Sequence, residues 1–165
     1  MVLADGVPKE YHFLTGSEEI KNRPEGPFDI IIAVDCSGLD RLGDALEGYS
    51  LPTLNIDHHI SNLNFATINL VDSQAAATAQ MLAEYLPAWG LTITKPIAEA
   101  LLTGLLTDTI GFRTPNVTPE TLRTAANLIE AGAKMTDLYQ KVLIDRSYIT
   151  IRYWQHGLSS LQLKD

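Results

Sequence analysis

Cysteine is nearly absent from this chain: Cys36 stands alone. An internal disulfide is therefore excluded, and a reducing cytoplasm is the expected setting. No apolar run approaches the roughly 20 residues that a membrane-crossing helix needs. The opening residues Met1-Val2-Leu3-Ala4-Asp5-Gly6 carry neither a basic start nor an apolar signal core. Cations are scarce, with 12 Lys and Arg against 20 Asp and Glu and a formal net charge of −8. That balance argues against a protein held to nucleic acid by a broad basic surface. It leaves room for an enzyme that reaches phosphates through metals, because bound cations reverse the local field. There is no low-complexity tract and no internal repeat.

What is present is ordinary globular material, 45% apolar and 19% charged over 165 residues. That length suits one domain with one sizeable core. Phe28–Val34 is the strongest strand, and its continuous run Ile30-Ile31-Ile32-Ala33-Val34 predicts burial on both faces, as in a parallel sheet. Leu51–Ile56 and Thr67–Val71 read as further strands, and Val2–Ala4 as the tail of another. Leu39–Leu46 reads as a short helix. Asp72-Ser73 is placed to cap a helix over Gln74–Leu86. Thr94-Lys95-Pro96 looks like an N-cap with an early proline, opening an all-round apolar helix that should be central. It runs into Thr107-Asp108-Thr109 and the break at Gly111. Thr118-Pro119-Glu120 starts another helix, to about Ala131, stopped by Gly132. Met135–Ile144 and Ser147–Leu161 look like two more. Strands alternate with helices in the first half and helices fill the second. The expected fold class is α/β, with a mostly parallel sheet flanked by helices.

The chemistry gathers at strand ends. Asp35 follows one strand, and Asp57-His58-His59 follows another, where open α/β sheets place their sites. Asp108 lies at the end of the apolar helix. Taken singly, an Asp after a strand is more often a cap or turn residue, and a lone loop histidine is more often solvated than a ligand. Asp108 is harder to dismiss, because an unpaired buried carboxylate is costly. Together they form a hard oxygen-and-imidazole set that suits Mn²⁺ or Mg²⁺. A carboxylate bridging two cations would also fit a two-metal phosphoryl hydrolase.

Three ordered stretches carry a resemblance. They are Ile32-Ala33-Val34-Asp35-Cys36-Ser37, Asn55-Ile56-Asp57-His58-His59 and Gly104-Leu105-Leu106-Thr107-Asp108-Thr109. They resemble the second, third and fourth motifs of the DHH phosphoesterase family. Asn64-Phe65, Asn69-Leu70-Val71-Asp72, Ala75–Thr78 and Gly111-Phe112-Arg113-Thr114-Pro115-Asn116 resemble its branch of bifunctional oligoribonucleases (nanoRNases) and 3′-phosphoadenosine 5′-phosphate (pAp) phosphatases. The resemblance implies metal ligands at Asp35, His58 and Asp108, with Asp35 bridging two Mn²⁺ ions. It implies that His59 faces the scissile phosphate, that Asp57 orients the histidines, and that Arg113 holds a substrate phosphate. Arg113 reads equally well as a solvated loop residue. Cys36 and Ser37 read as loop packing, and Thr107 and Thr109 as caps.

The family's first motif, His-x-x-Pro-Asp-x-Asp, does not occur, and neither does the Gly-Gly-Gly-His motif of its C-terminal domain. His12 is no substitute, since Phe13-Leu14-Thr15-Gly16 follows it. The expectation is a single DHH-type catalytic domain over residues 1–165, incomplete at its N-terminus, with no second domain. The resemblance implies two ions in full-length relatives, and one or none here. The implied function is hydrolysis of short oligonucleotides or pAp, with this chain impaired or inactive. The alternatives are a pyrophosphatase or exopolyphosphatase, or a non-catalytic nucleotide-binding remnant. An uncovered sheet flank would favour a homo-oligomer.

Overall fold

The computed structural model describes residues 1–145 and 148–162. Three parallel strands, β1 (Ile32–Val34), β2 (Leu54–Asp57) and β3 (Ile68–Val71), lie side by side in chain order. Register pairs Ile32 with Leu54 and Leu54 with Ile68, then Val34 with Ile56 and Ile56 with Leu70. Paired residues share a face, so these six apolar side chains line one side of the sheet. Ala33, Asn55, Asp57 and Asn69 line the other.

Helix α1 (Thr78–Ala88) covers part of the apolar side. Ile56, Ala75 and Met81 are buried there, with Leu54, Leu70, Leu82 and Tyr85 packed around them. Helix α2 (Lys95–Asp108) is the spine of the larger core. Its Ala98, Leu101, Leu102, Leu105 and Leu106 pack with Ala76, Ala77, Ala125, Leu128, Ala133 and Leu138. Those partners include α3 (Pro119–Glu130) and α4 (Met135–Tyr139), which runs on into a π-helical turn, Gln140–Ile144. Gly104 lets α1 come close, since a methyl group there would stand 3.0 Å from the Ala79 Cβ. Gln80 ties α1 to α3: its buried Oε1 accepts from the Ala76 N–H and the Thr121 hydroxyl. Helix α5 (Tyr148–Leu158) has no buried residue.

The α/β class and parallel sheet agree with the sequence, and four expectations need correction. The strand predicted from Phe28 is formed only over Ile32–Val34, and just Ala33 is buried. Ile32 and Val34 remain 53% and 46% exposed, because α1 sits over β2 and β3 and leaves β1 uncovered. The helix predicted from Gln74 begins at Thr78. Asp72 instead closes a tight turn, accepting from the Gln74 N–H at 2.9 Å. The short helix predicted over Leu39–Leu46 is a single 3-10 stretch, Leu39–Leu42. Val2–Ala4, expected as the tail of a strand, forms an isolated parallel bridge from Val2 to Lys21, and Ser147, the predicted start of the last helix, lies outside the described residues.

Candidate metal centre

The carboxyl ends of β1 and β2 lie side by side, so Asp35 and Asp57-His58-His59 emerge together. Asp35 continues the ladder, its N–H donating to the Ile56 carbonyl at 2.9 Å. Its backbone turns left-handed at once, with φ +56°. Aspartate tolerates that region better than most residues. Helix α2 delivers Asp108 as its last residue. Asp108 is fixed by the turn behind it. The buried Thr109 hydroxyl donates to the Leu105 carbonyl at 2.6 Å and accepts from the Phe112 N–H at 2.9 Å. Ile110, Gly111 and Phe112 then follow with φ of +48°, +68° and +64°.

His58 stands between two carboxylates. Its Nε2 is 3.7 Å from Asp35 Oδ1 and 3.7 Å from Asp108 Oδ2. Both distances exceed a hydrogen bond and suit donors that share a cation. The ring's Nδ1 lies 3.3 Å from the Ala75 carbonyl, which can only accept. A ring that donates from Nδ1 to this carbonyl turns Nε2 toward Asp35 and Asp108, where it can serve as a metal ligand. Among the described residues Asp35, His58 and His59 offer ligand atoms within 4.8 Å of one another.

His59 is held differently. Its Nδ1 donates to Asp57 Oδ1 at 2.7 Å, and Asn62 Nδ2 donates to Asp57 Oδ2 at 2.6 Å. Asp57 is fully buried. Burial pushes its carboxyl up, but the bonds from His59 and Asn62 outweigh it and hold the group below the ordinary carboxylate range. The same bond raises the His59 pKa against the opposing effect of burial. With Nδ1 committed to Asp57, Nε2 is the ring nitrogen of His59 left to face the site.

The local field favours a cation. Burial, and then the charge of Asp35, push the Asp108 carboxyl up, with His58 and His59 opposing. The carbonyl end of α2 adds partial negative charge beside Asp108. Hard oxygen and imidazole donors converging in a negative field fit Mn²⁺ or Mg²⁺.

The sequence-predicted residues thus meet, with one exception. Arg113 is exposed, and no hydrogen bond or ion pair joins its guanidinium to the other five. Two residues escaped sequence reasoning. Asn62, within a stretch that reads only as polar loop, also donates to the Cys36 carbonyl at 3.1 Å and so joins the two site loops. Thr78 donates its hydroxyl to Asp35 Oδ1 at 2.7 Å. The only signal for Asn62 was its position three residues after His59. Thr78 closes the Ala75–Thr78 stretch that carries the family resemblance, but its residue type alone points to no site role.

A family model, the DHH family N-terminal domain, matches residues 3–105. The chain belongs to the DHH family. Among characterised DHH relatives, it is 38% identical over 137 residues to the bifunctional oligoribonuclease and PAP phosphatase NrnA of Thermus thermophilus, covering 82% of this chain and 40% of that protein. The Bacillus subtilis protein of the same name is 27% identical over 146 residues, covering 86% of this chain and 46% of its own length. This chain thus spans less than half the length of either relative. The crystal structure of an exopolyphosphatase-related protein from Bacteroides fragilis shares the fold, with a TM-score of 0.81 at 23% identity. That likeness covers 95% of this chain and 50% of the other.

Proposed function

We propose that this chain carries a divalent-metal centre of a phosphoesterase that hydrolyses short oligonucleotides or pAp. The observation that carries the reading is the convergence of Asp35, His58 and Asp108, with His58 Nε2 3.7 Å from a carboxylate oxygen of each. Identity to the Thermus NrnA favours the nucleotide substrates over pyrophosphate or polyphosphate. In this reading Asp35, His58 and Asp108 would hold Mn²⁺ or Mg²⁺. A bound ion supplies positive charge that polarises the phosphate ester and the attacking water. Asp57 and Asn62 set the His59 ring, and His59 gives the phosphate a hydrogen bond that strengthens as charge develops on its oxygens. Arg113 grips a second phosphate of the substrate in a forked contact. The single thiol fits a cytoplasmic setting, which cell fractionation checks.

Calorimetric titration with Mn²⁺ tests the centre. Uptake that disappears in Asp35→Asn supports it, and no uptake by the wild-type chain sinks it. Phosphate release from pAp tests the chemistry: His59→Ala is expected to abolish turnover while keeping Mn²⁺ uptake. Faster release from pyrophosphate than from pAp would move the assignment to a pyrophosphatase.

A further inference from the structure

Asp35 has a pinned backbone and a half-exposed carboxylate. The backbone is tied to Ile56 and turns left-handed. The side chain is 49% exposed, and the two imidazoles nearest to it, at 3.7 and 4.0 Å, are too far to bond it. Among the described residues Thr78 alone gives this carboxylate a direct hydrogen bond, at 2.7 Å.

Thr78 is a good anchor. It is the first residue of α1 and is 3% exposed. A buried β-branched side chain has little rotamer freedom. The helix behind it is held on both sides, by Met81 against the sheet and by Gln80 against α3. A hydroxyl occupies one acceptor position of a carboxylate and leaves the others for a cation. Hydrogen-bonded carboxylates are better metal ligands because their orientation is settled before the ion arrives.

We infer that Thr78 is a positioning residue, whose hydroxyl sets the Asp35 carboxylate and strengthens divalent-cation binding at the centre. This rests on the reading of Asp35 as a ligand. The test measures Mn²⁺ affinity of the 165-residue chain from the spin-resonance signal of free Mn²⁺. Thr78→Val is expected to weaken binding about 10–100-fold, and Thr78→Ser to restore most of it. Thermal melts by circular dichroism check that each variant folds. If Thr78→Val does not fold, the same comparison is made between Thr78→Ala and Thr78→Ser. Wild-type affinity in Thr78→Val, or equal loss in Thr78→Ser, overturns the role of the hydroxyl. If Asp35→Asn abolishes uptake while Thr78→Val leaves it unchanged, only Thr78 is misassigned. If the wild type takes up no Mn²⁺, the centre and this inference both fall.

Discussion

Helix α2 and strand β1 both carry dense apolar runs, and the fold treats them in opposite ways. In α2, Leu102, Leu105 and Leu106 are fully buried, because α1, α3 and α4 enclose it. In β1, Ile32 and Val34 are about half exposed, because among the described residues β1 pairs with β2 alone and α1 lies elsewhere. The candidate centre takes Asp108 from the end of the enclosed helix and Asp35 from the position just after the half-covered strand. The Thr78 hydroxyl ties Asp35 to the start of α1.

The contrast is open to attack by substitution. Leu105→Ala is expected to cost about 2–5 kcal/mol in urea unfolding, through lost burial and the cavity left behind. Val34→Ala, on the uncovered side, should cost under about 1 kcal/mol. Equal losses would mean that β1 is covered in solution. Next in size is Gly111→Ala. A methyl there would stand 2.6 Å from Tyr139 Cε2, on a backbone with φ +68°. A melt should show a loss of about 1–3 kcal/mol, reflecting a left-handed residue with no room for a side chain. An unchanged melt would show that the turn behind Asp108 is looser than its hydrogen bonds suggest.

Thr118→Ala removes the N-cap of α3. There the Thr118 hydroxyl accepts from the Thr121 N–H, and the Thr121 hydroxyl accepts from the Thr118 N–H. The expected cost is about 1 kcal/mol by urea unfolding. The smallest stability effect should come from Ile32→Lys, within about 0.5 kcal/mol for an exposed position. Its effect on association should be larger. We expect the wild type to self-associate through the uncovered flank of Ile30, Ile32 and Val34, and the lysine variant to be monomeric. Light scattering at micromolar concentration decides this, and a monomeric wild type counts against the flank as an interface.

Much was legible because it depends on short-range pattern. Thr118-Pro119 and Gly132 bracket α3, since caps and breakers act within a turn or two. The run Ile97–Leu106 announced a central helix. The ordered motifs announced the DHH family, to which residues 3–105 match. The exposure of β1 departs from its apolar sequence because such a run reports what a strand prefers to touch, and cannot report whether a helix lies over it. Helix α1 was started too early because Asp72 can cap a helix or close a turn with the same carboxylate.

The strand–helix order, the central helix and the residue types at the ends of β1, β2 and α2 can be read from the order of amino acids. Each follows from local propensity and periodicity. Which of those residues meet is a matter of packing. Thr78 and Asp35 lie 43 positions apart, and Asn62 and Cys36 lie 26 apart. Such pairs depend on how α1 seats on one face of the sheet and how two loops lie across its end. Long-range packing sets both arrangements, and the pattern of neighbouring residues does not encode them.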